Sequence, residues 1–417
     1  MKNTRLMTIF LIVFIDLLGF SLILPLLPYY AETYGATPTI VGLLVASYAA
    51  AQLIGAPLLG RLSDRIGRRP VLLISVIGTG VGFLLLGFAD PIGRFLAELI
   101  APQAANAFVL GVLFFSRILD GLTGGNITVA QAYITDVTDD QNRAKGLGLI
   151  GAAFGLGFII GPAVGGALSK WGYSLPAFVA ASVSFINMFM IIFLLPESLP
   201  VERRSAASGQ RRPPFTLNAL KQALNRPKVG PLLQVRFFFA LAFAIFQTIF
   251  ALYAQAIGLS SQTTGILLAY VGVLSVVTQA GLIGFLTRRF QENILMITGL
   301  WIMAGALLAW AFATQLWFLV VLILPMAVAG GVSNTIIQSA TTKSVTRQEV
   351  GGILGITASL EAVTRIIAPI AGGYLLQHLG LWAPGIFSAV LMAWTIILAY
   401  RRIILPANRA RLADEAL

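Results

Sequence analysis

Six charged residues lie within long apolar stretches of this sequence, where they could do chemistry. Asp16 sits in VFIDLLGF (13–20), inside an otherwise apolar run from Leu6 to Leu27. An aspartate at the centre of a spanning helix is unfavourable by about 2.5–3.5 kcal/mol, so such a residue faces protein or water and has a task. Arg117 and Asp120 stand three apart, and Glu361 and Arg365 four apart. Each pair therefore shares a helix face and can form an ion pair within the membrane. Asp16 has no basic residue one turn away on its own helix. A solitary carboxyl in a low-dielectric wall can hold and exchange a proton, the property a proton-coupled carrier needs. Asp16, Arg117, Asp120, Glu361 and Arg365 are thus candidates for proton coupling. The pairs also have a structural reading, locking helices together, in which desolvation opposes the Coulomb gain. Arg236, near the start of an apolar run, reads as an interfacial arginine that snorkels to water.

Other chemistries lack parts. The chain has no cysteine and one histidine, His378. Thiol chemistry, Cys/His metal sites and serine–histidine catalysis are therefore not expected, and the sequence reads as no enzyme and as holding no metal or cofactor. His378 reads as an interfacial residue. No G-x-x-x-x-G-K-[ST] phosphate loop occurs, so a gradient must supply the energy, and the expected coupling ion is the proton.

The elements that position these residues are helices in a bilayer. Of 417 residues, 58% are hydrophobic and 11% charged, against about 25% charged in soluble domains. Twelve apolar runs are long enough to cross roughly 30 Å of hydrocarbon. They cover 6–30, 39–59, 70–89, 107–131, 146–168, 174–195, 229–257, 262–286, 293–313, 316–341, 350–376 and 380–400. The net charge of +12 does not mark a nucleic-acid surface. Of the lysines and arginines, only Arg94 and Lys170 fall in loops of one side and Arg117, Arg236 and Arg365 within spans. All others gather on the opposite side with both termini, which the positive-inside rule makes cytoplasmic. The first run is too long for a signal-peptide core, so it is expected to remain as a span. The expected location is the plasma (inner) membrane, multi-pass, with the lipid bilayer and a small-molecule substrate as partners and a monomeric state.

Residues 196–228 form the one long polar interruption, read as a cytoplasmic linker whose LNALKQAL portion (217–224) is a short surface helix. It divides the chain into an N-terminal six-helix bundle (1–195) and a C-terminal one (229–417). The halves echo each other. LGLIGAAFGLGFIIGPAVGG (147–166) matches LGITASLEAVTRIIAPIAGG (354–373) at one constant offset, and GAPLLGRLSDRIG (55–67) matches AGLIGFLTRRFQ (280–291). Repeated six-helix halves are a carrier design with the substrate site near the midplane. The fold class is all-α membrane protein, twelve transmembrane helices in two pseudo-symmetric halves.

The loop GRLSDRIGRRP (60–70) combines two glycines that permit a tight turn with Asp64 and the arginines 61, 65, 68 and 69. It resembles the signature loop G-x-L-[SA]-D-R-x-G-R-[RK] of the major facilitator superfamily. DLLGFSLILPLLP (16–28), RILDGLTGGNITVAQAYITD (117–136) and GLGFIIGPAVGG (155–166) resemble its twelve-span drug:proton antiporters, and within them the tetracycline-efflux-like group. The resemblance implies that Gly60, Asp64, Arg65, Gly67, Arg68, Arg69 and Asp136 form a gating network. It places Arg117 in proton coupling and Gly157, Gly161, Pro162, Gly165 and Gly166 in the antiporter motif G-x-x-x-G-P-x-x-G-G. Two departures stand out: Gly82 falls where the group's tetracycline pumps carry an acid, and Asp120 where they have a neutral residue.

Gln131 continues the small, polar stripe of Arg117, Asp120, Gly124 and Thr128. Phe243, Gln247 and Phe250 share one helix face, Tyr270 lies in the next run, and Asn334 and Gln338 share another face. Together these fit an apolar substrate cavity with a few polar anchors. The expected function is proton-coupled efflux, by antiport, of lipophilic or cationic organic compounds. The alternative is import or uniport of an organic metabolite, with arginines binding a carboxylate or phosphate. A non-transporting receptor or lipid scramblase is a rival from another class.

Overall fold

The computed structural model describes residues 2–139, 142–200, 217–346 and 349–406. Linker residues 201–216 lie outside the described residues. Among the described residues there are no strands, because in lipid each backbone N–H and C=O must be satisfied within its own segment or a closed barrel. Among the described residues, twelve helices are long and apolar enough to cross a membrane. They are α1 (Arg5–Glu32), α2 (Pro38–Ile66), α3 (Arg68–Gly87), α4 (Pro102–Val137), α5 (Lys145–Trp171), α6 (Ser174–Leu194), α7 (Val229–Ala256), α8 (Ser261–Arg289), α9 (Glu292–Trp310), α10 (Leu316–Lys343), α11 (Val350–Leu379) and α12 (Ala383–Ile404).

Several helices carry local breaks that matter below. The α-helix of α4 runs Ala105–Thr123, stops at Gly124–Gly125 and resumes as Asn126–Val137. The sequence reading treats this as one continuous span. Two adjacent glycines contribute no side-chain packing and lower the barrier to such an interruption. In α8 a π-turn spans Thr278–Leu282. An additional amphipathic helix, Ala89–Ile100, precedes α4 and lays Ala89, Gly93 and Ala97 inward at one-turn intervals. The helix expected at 217–224 is present as Leu217–Leu224.

The chain forms two compact units. The first comprises residues 1–212 with Ala254–Gly272. Its core gathers Ile9, Ile12 and Leu17 of α1 with Leu72 and Val76 of α3 and Tyr133 of α4. Residues 254–272, which the sequence reading assigns to the C-terminal half, pack in this unit because small residues let backbones touch. A Cβ at Gly265 would lie 2.3 Å from the Pro162 carbonyl oxygen, and one at Gly272 would lie 2.9 Å from that of Phe158.

The second unit comprises Pro213–Tyr253 and Val273–Leu417. Its interior is aromatic: Phe246 meets Trp310 edge-on at 5.1 Å and Phe250 at 5.4 Å, and Tyr253 lies 5.2 Å from Trp310. The short helix Leu217–Leu224 is tied to this unit by Ala223, buried with Val229, Leu233 and Ile353.

Candidate functional site

In the first unit the break in α4 presents Asn126 to α1. As the first residue of the resumed helix, Asn126 donates its side-chain N–H to Asp16 Oδ1 at 2.6 Å. Asp16 is half-buried, whereas Asn126 is buried and its Oδ1 has no hydrogen-bond partner. An amide is both donor and acceptor. It can donate to an ionised carboxylate and, turned over, accept from a protonated one. Asp16 therefore has a partner fitted to either proton state, and α1 is held in place by Asn187, whose Nδ2 donates to the Ile12 carbonyl at 2.9 Å.

One turn before the break lies the Arg117–Asp120 pair. Arg117 Nη1 donates to Asp120 Oδ2 at 3.1 Å with both side chains 3% exposed. The guanidinium also sits 5.3 Å from the centroid of the Phe83 ring, a cation–π contact, and its Nη2 has no partner. Thr79 hydrogen-bonds the Asp120 carboxylate. Gly82 is the neighbour that makes room, since a Cβ there would lie 3.2 Å from Asp120 Cβ. The acid on α4 thus fills space that a side chain at position 82 would otherwise enter.

The second unit corrects two sequence expectations. Glu361 does not pair with Arg365 but with Arg236, whose Nε donates to Glu361 Oε1 at 2.8 Å while Nη2 reaches the same oxygen. Arg236 Nη1 completes the fork on the Asn334 carbonyl at 3.0 Å. Arg236 is accordingly buried, 5% exposed, rather than snorkelling to an interface. The physical reason is geometric: a planar guanidinium from a facing helix can span two acceptors at once. A partner one turn along the same helix reaches sideways instead. Arg365 is exposed and has no ion pair or hydrogen bond among the described residues.

At the α2–α3 turn, Gly67 has φ +110°, a conformation that favours glycine. The turn directs Arg68 inward, where it bonds Asp64 at 2.6 Å, Asp136 at 3.0 Å and Ser63 Oγ at 2.8 Å. Arg69 donates to the carbonyls of Ile191 and Ile192. Arg65 is exposed and outside this network, and a Cβ at Gly60 would lie at ordinary contact distance from Thr128. Glu197, which falls in the expected linker 196–228, is central here. Its carboxylate accepts from the backbone N–H groups of Arg68 and Arg69 at 2.9 and 3.2 Å. It thereby caps the N-terminus of α3, where orphan donors and the helix dipole favour an anion. An acid just after the last residue of α6 was the available signal.

The glycines of the α5 motif pack on two sides. Cβ atoms at Gly157, Gly161 and Gly165 would lie 3.2 Å from Leu17 Cβ, 2.0 Å from Ser21 Oγ and 2.2 Å from the Leu22 carbonyl oxygen. Ser21 Oγ donates to the Gly157 carbonyl at 2.8 Å. Gly166 and Pro162 turn the other way, towards Gln262 and Gly265. Among the cavity candidates, Gln131, Gln247, Asn334 and Gln338 are exposed, and Phe243 and Tyr270 are half-buried. Phe250 departs from the expectation, because it has no exposed surface and packs on Phe246 in the aromatic core.

Comparison with known proteins agrees with this architecture. The chain matches the family profile described as Major Facilitator Superfamily over residues 9–297 and 232–416. It is 30% identical to the tetracycline resistance protein, class C, of Escherichia coli, over 98% of this chain and 97% of that one. It is 27% identical to multidrug resistance protein 2 of Bacillus subtilis (strain 168), over 92% of each. Among solved structures, the human organic anion transporter MFSD10 superposes with a TM-score of 0.65 at 22% identity, covering 95% of this chain and 99% of that one. The D-xylose-proton symporter superposes at 0.70 and 17% identity, covering 95% and 97%. With twelve helices of spanning length and a family match that runs nearly end to end, this chain belongs to the Major Facilitator Superfamily and is a membrane transporter.

Proposed function

We propose that the chain exports lipophilic organic compounds in exchange for protons, alternately opening its site to the two sides of the membrane. The observation that carries this reading is the Asp16–Asn126 contact. A carboxyl half-buried midway along α1, with one neutral partner able to serve both proton states, can load and release a proton without stranding a charge. Arg117–Asp120 forms a charge-compensated pair one turn from the α4 break and tunes that site. The names of the relatives, tetracycline resistance and multidrug resistance, support export over import. The same parts driven the other way would import, and the fold is shared with a sugar–proton symporter. The six-helix halves act as the moving bodies of a monomer in the inner membrane, both termini cytoplasmic, in keeping with the one-sided distribution of lysine and arginine.

The test is uphill flux in proteoliposomes under an imposed pH gradient, using tetracycline and a lipophilic dye. Export-directed accumulation that collapses with the gradient, and is absent in Asp16→Asn, is the expected result. Flux indifferent to the gradient would overturn proton coupling, and accumulation in the opposite direction would overturn export.

A further inference from the structure

Arg365 stands midway along α11, exposed and with no ion pair or hydrogen bond among the described residues. The other charges that the second unit carries at that depth, Arg236 and Glu361, neutralise each other. The surroundings of Arg365 follow from the helix repeat. Val363, Ile367 and Tyr374 form an exposed apolar stripe, 37%, 40% and 53% accessible, suited to lipid. Arg365 is two residues, about 200° of rotation, from both Val363 and Ile367, and so lies on the opposite side of α11. It shares its own side with Glu361, one turn earlier, which faces Arg236 of α7. An arginine at mid-span that is uncovered by protein and turned from the lipid stripe faces water. Arg236, the partner of Glu361, also donates to the Asn334 carbonyl, and the side chains of Asn334 and Gln338 are exposed.

We propose that Arg365 is an anion-recognition site, and that the transported compound bears a carboxylate, sulfonate or phosphate group that docks on it. The compound is then an organic anion or zwitterion with a lipophilic body, in place of the cationic compounds expected from the sequence. A guanidinium fork suits such groups in two-point contact, and a single uncompensated cation at depth is stabilised when an anion arrives. Glu361 cannot fill this role of counter-ion, being held by the more deeply buried Arg236. The proposal deepens the export reading by naming its substrate class.

The experiment is equilibrium binding to the purified full chain, without any gradient, of two probes with one aromatic body and opposite charge: naphthoate and naphthylmethylammonium. The wild type should bind naphthoate more tightly than the ammonium. Arg365→Gln should lose about tenfold or more of the naphthoate affinity and leave the ammonium unchanged, with Arg365→Lys between. Thermal stability of each variant checks the fold, and Arg365→Lys retains the charge should Arg365→Gln fail to fold. Equal affinities for the two probes, no saturable naphthoate binding at millimolar concentration, or equal losses for both probes in Arg365→Gln would overturn the proposal. Because binding needs no proton gradient, intact naphthoate selectivity alongside gradient-independent flux would overturn proton coupling, and alongside accumulation in the import direction would overturn export, and either would leave this site standing.

Discussion

Asn126 holds Asp16 across two helices by one 2.6 Å hydrogen bond, and its remaining amide oxygen is buried without a partner. That oxygen is the natural acceptor for a protonated Asp16, so the pair forms a site that stays satisfied through a proton cycle. Asp16→Asn should abolish gradient-driven accumulation while leaving expression and melting temperature near wild type, since the side chains are nearly isosteric. Asn126→Ala should keep flux but move its pH profile. Both are read in proteoliposomes, and wild-type accumulation by Asp16→Asn would remove Asp16 from coupling.

Arg68 is the hub of the loop network, and its removal takes away the cation that Asp64 and Asp136 share. Arg68→Gln should destabilise by about 3 kcal/mol, whereas Asp64→Asn keeps the guanidinium and its bond to Asp136 and should mainly shift access to the site. Thermal melts measure the first. Single cysteines introduced into this cysteine-free chain and labelled from each side measure the second.

The Arg236–Glu361 bond predicts coupling in a double-mutant cycle. Arg236→Gln and Glu361→Gln should each cost more than the pair combined, with an interaction of about 1–3 kcal/mol in thermal stability. The equivalent cycle for Glu361 and Arg365 should be nearly additive. Strong coupling between Glu361 and Arg365 would mean that the carboxylate changes partner.

Glu349, just before α11, accepts a hydrogen bond from Arg226 at 2.8 Å, which holds its carboxyl below the ordinary value of 4.5. A depressed folded value means that the contact stabilises above 4.5 and is lost as pH falls below it, through the folded value. Hydrogen exchange over residues 217–226 should therefore lose protection as the medium is acidified below 4.5. Glu349→Gln should show the lower protection at neutral pH and no further response to acid.

The glycines of α5 divide sharply by contact. Gly165→Ala would drive a methyl to 2.2 Å from the Leu22 carbonyl oxygen, which is backbone and cannot swing away. It should cost at least about 1–3 kcal/mol and lower the yield of folded protein. Gly151→Ala meets nothing within 4 Å and should gain up to about 1 kcal/mol from helix propensity. Size-exclusion profiles and melts in detergent compare the two.

The sequence by itself determined the twelve helices, because spanning a bilayer demands a local run of some twenty apolar residues, and locality is what a linear reading sees. It also singled out Asp16, Arg117, Asp120, Glu361 and Arg365, which are conspicuous against apolar neighbours. Helical spacing even identified the Arg117–Asp120 pair, whose partners lie within one turn. Only the tertiary structure decided the partners that come from other helices. Asn126 reaches Asp16, Glu197 caps α3 at Arg68, and Arg236 takes Glu361 from Arg365. These pairings join residues more than a hundred positions apart, and no periodicity encodes them. They depend on which faces the helices turn to each other, which is set by close glycine contacts and packed side chains throughout each unit rather than by any single segment.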